Sequence, residues 1–544
     1  MITFCEESVG GGVVDVVIGL DSGTTATKAV TAGADGRVRD VTSVGYPLQV
    51  PAPGRAELDA GALQRAAIGA LADVARRARE RGDAVVGISL SAAMHGLLPM
   101  DDAGSPLGPV ITWADDRAAE QAAVLRADGR AAGLHDRTGT PVHPMSPLLK
   151  LAWQLGQDPD RVTDVPRWGG VKELVVATLV GGPHLVDRSC ASASGLYDIH
   201  AGRWDDEAMH VAGVRPGQLG EVLPTTAVLP GLTADAARAT GLPAGLPVVI
   251  GASDGVLANV GIGAVRSDVA AVSLGTSGAM RVVVPAPVVD PGRRLFCYAL
   301  TEDRWVVGGA VNNAGSVVRW AARALAEPGG PEPTGPEADA LDARLLAEAE
   351  GVPAGSAGLL CLPYLLGERA PWWRPGLRGA YVGLRREHGR AHLVRAAVEG
   401  VCQQLALVRE AFAATGLPVR EVRATGGSTS SALWLRVLAA ALDLPVRVAD
   451  SPEGAGLGAG LLGLHALGAL PDLEAATGLV QVGDPVLPEP ADVEVYERLR
   501  PLMVRSTTAL GDILTALDDG TPSANSAPHA LSMIHIGRRR RRGD

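Results

Sequence analysis

Two segments of this chain share one design: a strand, a turn containing glycine and threonine, and a second strand. The first covers 13–30, with VVDVVIGLD, SGTT and ATKAV, and the second covers 269–284, with VAAVSLGTSGAMRVVV. Short apolar runs bounded by Gly, Ser and Asp are typical of strands. The two hairpins lie about 250 residues apart. Their repetition predicts two duplicated lobes, although the halves share little sequence identity.

Strands and helices alternate along the rest of the chain. We predict a helix over 61–79, a buried strand over 84–90, a strand over 248–250 and a surface loop over 327–336. This alternation is the α/β pattern. At about 100–200 residues per domain, 544 residues allow two large domains or three smaller ones. We expect an N-terminal extension, a first domain, a second domain and a C-terminal segment with a disordered basic tail, with the bounds 1–12, 13–250, 251–505 and 506–544.

Composition and charge argue against a nucleic-acid-binding, a secreted or a membrane-spanning protein. A net charge of −11 gives no default basic face for nucleic acid, and the five arginines at 538–542 are expected to be a solvated charge run. Five scattered cysteines without a C-x-x-C pair fit a reducing compartment. The N-terminus shows no secretory signal, and the glycine-interrupted stretch 454–470 predicts a buried helix rather than a membrane span. We therefore expect a cytoplasmic protein without nucleic-acid or membrane partners.

The first hairpin carries a possible phosphate-binding turn, Asp21-Ser22-Gly23-Thr24-Thr25-Ala26-Thr27-Lys28. Glycine lets the backbone approach a phosphate, and the N–H groups and hydroxyls of Thr24 and Thr25 can donate to its oxygens. Asp21 leaves the strand as a carboxylate that can hold Mg²⁺, usually through water. The alternative is an ordinary polar hairpin.

Two further turns suit a nucleotide. Gly275-Thr276-Ser277-Gly278 lies on the second hairpin and, paired with the first turn, predicts a two-sided phosphate clamp. Gly426-Gly427-Ser428-Thr429-Ser430-Ser431 lies between the predicted strand VREVRAT and the helix ALWLRVLAAAL. A helix N-terminus favours negative charge, although a plain helix cap explains this second turn equally well.

Asp254 is the candidate catalytic base. It leaves a buried strand within Gly251-Ala252-Ser253-Asp254-Gly255. Phosphoryl transfer to an alcohol needs one placed base and otherwise depends on positioning and electrostatics. An Asp-Gly turn is the alternative. No lysine follows a glycine, which excludes a Walker A loop, and the G-x-G-x-x-G match at 458–463 looks like continuing helix.

These motifs, in this order, resemble the FGGY carbohydrate kinases, a branch of the actin, hexokinase and Hsp70 superfamily. The likeness runs from about Asp15 to Arg505. Its longest stretches look like the gluconokinase subgroup, whereas Met94-His95-Gly96 and the W-x-D-x-R at 113–117 also fit xylulokinases. The matching stretches are SAAMHGLLPMDDAGSPLGPVITWADDRA, RTGTPVHPMSPLLKLAW, GASDGVLANVGIGA and LPYLLGERAPWW.

The resemblance implies a fold of two actin-like (ribonuclease H-like) ATPase domains with a cleft between them, and ATP with Mg²⁺ as cofactors. It also implies roles for single residues. Asp21 would organise the metal, and Asp254 would be the base. Phosphate and nucleotide contacts would come from Thr24, Thr25, Gly275, Thr276, Gly315, Gly427 and Ser431. Substrate contacts would come from Met94, His95, Trp113, Asp115, Arg117, Lys150 and Asp254. Family members often carry asparagine or lysine variants after the Gly-Gly turn, so the phosphate contacts fit the family better than the adenine contacts.

The substrate implied by the resemblance is gluconate, whose carboxylate needs a cation or aimed donors. The chain has only three lysines, Lys28, Lys150 and Lys172, among 49 basic residues. We therefore expect Lys150 and Arg117 to be the carboxylate partners, with surface solvation as the alternative. Competing hypotheses are a ketopentose kinase of the xylulokinase type and an actin-like ATPase chaperone or filament protein. A homodimer is the assembly we expect.

Overall fold

The computed structural model describes residues 14–324, 336–450 and 453–519. Its strands are β1 (Asp15–Ser22), β2 (Ala26–Gly33), β3 (Val38–Gly45), β4 (Glu57–Leu58), β5 (Ala84–Ala92), β6 (Leu98–Met100), β7 (Val110–Ile111), β8 (Arg167–Gly169), β9 (Leu185–Asp187), β10 (Tyr197–Asp198), β11 (Arg203–Trp204), β12 (Glu221–Leu223), β13 (Val228–Leu229), β14 (Val248–Ser253), β15 (Val269–Leu274), β16 (Gly278–Val284), β17 (Phe296–Ala299), β18 (Trp305–Val311), β19 (Leu360–Leu362), β20 (Ala380–Val382), β21 (Glu421–Thr425) and β22 (Val446–Val448).

The α-helices of the same residues are α1 (Ala60–Arg81), α2 (Ala119–Ala127), α3 (Arg130–Thr138), α4 (Pro147–Gln157), α5 (Pro159–Asp164), α6 (Val171–Leu179), α7 (Arg188–Ser192), α8 (Asp206–Ala212), α9 (Ala234–Thr240), α10 (Asp254–Gly261), α11 (Gly315–Ala324), α12 (Pro336–Glu350), α13 (Arg390–Ala414), α14 (Ala432–Leu442), α15 (Gly454–Ala466), α16 (Ala476–Leu479) and α17 (Pro490–Asp519).

Two six-stranded sheets form the centres of two lobes. The first has the order β13-β14-β5-β1-β2-β3, and the second has the order β17-β18-β16-β15-β21-β22. In each sheet a central strand pairs antiparallel with its hairpin partner and parallel with a strand from later in the chain. The predicted duplication of the hairpin and the α/β fold class are therefore confirmed.

The first sheet is covered on both faces. Helix α1 contacts β2 and β3, and helix α15, from late in the chain, contacts β1, β2 and β5. Seven of the eight residues of β1 are buried, as expected for a strand between two helical layers. Helix α1 starts where the Asp59 carboxylate accepts from the Ala62 N–H and ends at Gly82, which has a left-handed φ of 80°. The helix predicted over 61–79 is confirmed.

Glycines let helices α10 and α15 approach closely. A Cβ atom on Gly458 would lie 2.0 Å from the Leu257 carbonyl oxygen, and one on Gly261 would lie 1.8 Å from the Gly454 oxygen. On its other side α15 meets β1, where a Cβ on Gly19 would lie 2.0 Å from the Gly456 oxygen. Because α10 begins at Asp254 and α15 packs on the first sheet, this contact fixes the candidate base relative to that sheet.

The late glycine-rich stretch forms α15, a helix with nine fully buried residues, as predicted. No helix among the described residues is long and apolar enough to cross a membrane. The loop predicted over 327–336 and the basic tail from Gly520 lie outside the described residues, apart from Pro336, which begins α12. The domain boundary between 250 and 251 stays a prediction; β14 of the first sheet extends to Ser253.

Candidate active site

Asp21 occupies the end of β1, next to the first turn. The Ser91 hydroxyl, from the neighbouring strand β5, donates to Asp21 Oδ1 at 2.6 Å. Burial, reinforced by the charge of Asp254, raises the Asp21 pKa to about 6. On the partner strand, Lys28 Nζ lies 2.7 Å from Glu453 Oε2, which ties the first hairpin to the start of α15.

The surroundings of Asp21 fit a metal held mainly by phosphates and water. No group of three or more His, Cys, Asp or Glu side chains that could hold a metal exists among the described residues. Mg²⁺ commonly takes one or two carboxylates and completes its shell with water and substrate phosphates. The buried Asp21 carboxylate, whose pKa is raised mainly by burial although the charge of Lys28 lowers it, suits that arrangement.

The first turn is anchored to the sugar-side residues of the same lobe. The Trp113 indole N–H donates to Thr24 Oγ1 at 2.9 Å, and the Tyr46 hydroxyl donates to the Gly23 carbonyl at 2.7 Å. Thr25 is exposed at the tip of the turn. The turn therefore presents Thr25 to solvent while Thr24 is held from behind.

The predicted nucleotide residues of the second lobe come together. The Gly315 N–H donates to the Gly275 carbonyl at 2.9 Å, and a Cβ on Gly315 would lie 3.2 Å from Ser428 Oγ. Gly426, with a φ of 105°, packs against the end of β15, where a Cβ would lie 2.5 Å from the Leu274 oxygen. The three glycine turns of this lobe thus share one surface.

Thr276 and Gly427 are exposed on that surface. The Thr276 carbonyl accepts from the Ala314 N–H at 3.2 Å. Ser431 is the N-cap of α14 and accepts from the Trp434 N–H at 3.5 Å, so its hydroxyl has a structural role in the absence of a ligand.

Asp254 is the first residue of α10, directly after β14. The Gly255 N–H donates to Asp254 Oδ1 at 2.7 Å. Burial raises the pKa of Asp254, while Gly255 and the positive charge of Arg281 act in the opposite direction. Asp254 also raises the pKa of Asp21, which places the two carboxylates in one electrostatic cluster. The structure therefore brings the candidate base and the candidate metal carboxylate together.

Lys172 organises the strand ends beneath these carboxylates. Its buried ammonium donates to the carbonyls of Leu90, Ile250 and Ala252, at 3.1, 3.0 and 2.9 Å. These carbonyls belong to β5, which carries Ser91, and to β14, which leads directly into Asp254. Lys172 thus holds both side chains in place. The scarcity of lysine in the sequence is the one signal that singles it out.

His95 has a left-handed backbone with a φ of 66°. Its Nδ1 lies 2.8 Å from the Ala193 carbonyl oxygen, so Nδ1 carries the proton and Nε2 is an acceptor. Burial and nearby positive charges lower its pKa to about 3, so the ring is neutral. His95 and Met94 line a cavity in the first lobe, and a Cβ on Gly255 would touch the Met94 methyl at 2.7 Å.

Lys150 and Arg117, the predicted carboxylate partners, are engaged inside the protein. The buried Lys150 ammonium donates to the carbonyls of His95 and Met145, at 2.5 and 2.7 Å. Arg117 donates from Nε and Nη2 to the two oxygens of Asp115, both at 2.7 Å, and also contacts Glu57 at 2.5 Å. Both charged groups are therefore bonded within the protein. This arrangement suits residues that support the site better than residues that bind the substrate.

Two arginines that the sequence analysis did not select also face this site. Arg281 lies on β16, and a Cβ on Gly255 would be 3.5 Å from its Nη2. Arg369 reaches across from the second lobe, with its guanidinium carbon 4.9 Å from the centroid of the Trp113 ring. Arg369 lies within LPYLLGERAPWW, but a sequence gives no sign of which arginine is buried.

Comparisons with known proteins agree with this geometry. Residues 16–261 match the N-terminal domain of the FGGY family of carbohydrate kinases, and residues 270–467 match its C-terminal domain. A gluconokinase of Bacillus subtilis (strain 168) is 36% identical over 504 residues, which cover 92% of this chain and 98% of the relative.

Solved structures show the same similarity. A gluconate kinase from Lactobacillus acidophilus superposes with a TM-score of 0.84 at 31% identity, over 91% of this chain and 98% of the other. A ligand-bound xylulose kinase from the same species gives a TM-score of 0.85, also at 31% identity, over 93% and 100%. Since the two domain models together cover most of its length, the chain belongs to the FGGY family of carbohydrate kinases.

Proposed function

We propose that this protein phosphorylates the terminal hydroxyl of D-gluconate with ATP, giving 6-phosphogluconate and ADP. The observation that carries the proposal is the position of Asp254, buried at the start of α10 and close enough to Asp21 and Arg281 for their charges to interact, with Met94 against the neighbouring Gly255. The similarity to gluconokinases over nearly the whole chain supports the substrate. Family membership makes the chain a sugar kinase, so the chaperone or filament alternative is not retained.

In the proposed reaction, Asp254 Oδ takes the proton of the substrate hydroxyl. The hydroxyl oxygen then forms a bond to the γ-phosphorus as the bond from that phosphorus to the β–γ bridging oxygen breaks. ATP with Mg²⁺ supplies the phosphoryl group and neutralises charge on its oxygens. A placed base of this kind contributes about 10²–10⁴-fold to the rate. Burial raises the pKa of Asp254, which makes it a stronger base than an exposed aspartate.

The remaining residues position the reactants. Asp21 holds the metal, in part through water, and Thr24 and Thr25 donate to phosphates from the first lobe. Phosphate and nucleotide contacts from the second lobe come from Gly275, Thr276, Gly315, Gly427 and Ser431. Met94, Trp113 and the Nε2 acceptor of His95 meet the sugar chain. Asp115, Arg117 and Lys150 act indirectly, because their charged groups bind one another or backbone carbonyls.

Contacts between the lobes exclude water from the site. Arg369 of the second lobe stacks on Trp113 of the first, and Arg126 Nη1 donates to the Trp373 carbonyl at 3.2 Å. Closure of this kind limits transfer of the phosphoryl group to water. We therefore expect ATP hydrolysis without a sugar substrate to be slow.

A substrate panel tests the proposal. Gluconate, xylulose, ribulose and glycerol are each supplied with MgATP, and ADP release is followed in a coupled assay. We expect kcat/KM for gluconate to exceed that for the others by at least about 100-fold, since a missing charge contact of a few kcal/mol changes the rate constant by that factor. A preference for xylulose would establish the ketopentose alternative instead.

We further propose that the enzyme works in the cytoplasm. The four cysteines in the described part of the chain are all free thiols, which suits a reducing compartment. A homodimer is also proposed, and exposed Ile513 and Leu517 on the last described helix give it an apolar surface. Light scattering coupled to size-exclusion chromatography measures the mass directly.

A further inference from the structure

The guanidinium of Arg369 is buried without a carboxylate partner. The residue is 9% exposed, and its guanidinium forms no ion pair with an Asp or Glu of the described residues. Its Nη2 donates to the Val311 carbonyl at 3.3 Å, and its Nε makes no hydrogen bond in the described part of the chain. A buried charge is costly unless it is paired, so this cation is suited to an anion that arrives with a ligand.

Glu368, the adjacent carboxylate, does not supply that anion. One of its oxygens accepts from the backbone N–H groups of Asn312 and Arg369, at 2.7 and 2.8 Å. The other accepts from the Asn313 side-chain amide at 3.1 Å. Burial raises the Glu368 pKa to about 7, so near neutral pH the group carries only part of a negative charge. Its oxygens are committed to shaping the loop that holds Arg369.

The carboxylate of Asp254 interacts mainly with another arginine, Arg281. Arg281 exerts the largest effect of any charged side chain on the pKa of Asp254, and Asp254 is the first charge that acts on Arg281. Arg281 and Arg369 also repel each other, since each lies near the same carboxylate. Arg281 is thus the arginine that acts most strongly on Asp254, and Arg369 is left without a carboxylate of its own.

A second unused donor lies close to Arg369. The ring nitrogen Nδ1 of His143 accepts from the Met145 N–H at 3.3 Å, so Nε2 carries the proton. That Nε2 is buried and makes no hydrogen bond within the described residues. Among the charged groups, Arg369 has the largest effect on the pKa of His143, which burial holds well below its ordinary value. A neutral imidazole N–H and a guanidinium together offer donors to a carboxylate.

We propose that Arg369, assisted by His143 Nε2–H, binds the carboxylate of an aldonate substrate and so sets the preference of this kinase for sugar acids over neutral sugars. This inference rests on the proposed function. It assigns to Arg369 and His143 the contact first expected of Arg117 and Lys150. Because Arg369 comes from the second lobe and stacks on Trp113 of the first, the substrate's acid group is gripped as the lobes close.

The test compares gluconate with D-gluconamide, which has the same shape and hydroxyls but no charge. In the wild type we expect kcat/KM for gluconate to exceed that for gluconamide by about 100-fold, because removing one partner of a buried charge pair weakens binding by at least that order. Arg369→Gln should lower kcat/KM for gluconate about 100-fold, mainly through KM, and change that for gluconamide less than about 3-fold. Arg369→Lys should recover part of the preference, since it restores charge without the fork of donors.

Arg423→Gln is the matched control. Arg423 is also a buried arginine of the second lobe whose Nε makes no hydrogen bond, but it donates to the carbonyls of Ile262 and Gly263, at 3.1 and 3.0 Å, and its Nε lies 3.5 Å from Glu421 Oε1. This variant should keep the acid-to-amide ratio even if it loses stability. If Arg369→Gln does not fold, the wild-type ratio and the Arg369→Lys variant still decide the question.

The outcomes separate the two proposals. A wild type that prefers gluconate, with the same acid-to-amide ratio in Arg369→Gln, overturns the role of Arg369 and leaves the proposed function intact. A wild type that prefers a neutral ketose overturns both. A ratio that collapses in Arg369→Gln but not in Arg423→Gln supports the assignment.

Discussion

The indole N–H of Trp113 donates to the Thr24 hydroxyl at 2.9 Å, so a residue of the sugar side directly supports the phosphate turn. The same indole ring also contacts the second lobe, because the Arg369 guanidinium lies 4.9 Å from the ring centroid. Trp113 therefore contacts the phosphate turn and the second lobe at once.

Trp113→Phe keeps a ring for Arg369 and removes only the donor to Thr24. We expect KM for MgATP to rise about 3- to 10-fold, because one hydrogen bond contributes about 1 kcal/mol. The change in KM for gluconate should be smaller. Steady-state kinetics in both substrates measure this. Trp204→Phe is the control for the KM of MgATP, since its indole donates to the Gly220 carbonyl at 3.1 Å, on the cavity lined by Met94 and His95 and not at the phosphate turn. An unchanged KM for MgATP in Trp113→Phe would show that the bond is not needed for nucleotide binding.

The positive charge of Arg281 lowers the pKa of Asp254, the proposed base. In the proposed mechanism Asp254 accepts the proton as a carboxylate, so kcat/KM should fall as the pH drops below its pKa, which burial raises. The positive charge of Arg281 opposes that rise, so Arg281→Met should move the acidic limb of the pH profile to higher pH. Arg281→Lys, which keeps the charge, should leave the limb close to its wild-type position. A limb that stays in place in Arg281→Met would separate Arg281 from the ionisation of the base.

Lys150 is expected to act through His95 rather than on the substrate. Lys150→Met leaves the carbonyls of His95 and Met145 without their buried donor. The free energy of unfolding should fall by about 2–5 kcal/mol, as measured by urea denaturation. KM should rise equally for gluconate and gluconamide. A loss confined to gluconate would restore the direct contact with the carboxylate that the sequence suggested.

The crossing of α10 and α15 has no room for a side chain. Gly458→Ala would put a Cβ atom 2.0 Å from the Leu257 oxygen, within backbone on both sides. We expect a loss of about 1–3 kcal/mol or more in the free energy of unfolding, because overpacked helices must separate. Gly478→Ala is the control, since nothing lies within 4 Å of its added Cβ. Equal stability of the two variants would contradict the close packing at this crossing.

The sequence predicted the parts of this fold that follow from local pattern. The hairpins, the helix over 61–79 and the strand that ends before Asp254 have clear apolar periodicity and punctuation, and the structure contains all of them. The site roles of Asp21 and Asp254 stay predictions; the sequence singled them out because each lies at the end of a buried strand.

The rest depends on contacts between distant parts of the chain. Lys28 pairs with Glu453, 425 residues away, and Arg369 meets Trp113 across the cleft. Lysine scarcity drew attention to Lys150, and the structure shows its ammonium bound to backbone carbonyls. The sequence can single out an unusual residue. Only the tertiary structure shows whether its polar group already has a partner within the protein or is available to a ligand.

The central claim is that Asp254 takes the proton of the acceptor hydroxyl at the junction of the two lobes. Turnover of Asp254→Asn with saturating gluconate and MgATP tests it most directly, alongside the Kd for the nucleotide measured by calorimetry. We predict a fall in kcat of about 10²–10⁴-fold with a Kd within about 3-fold of the wild type. Undiminished turnover in Asp254→Asn would contradict the account.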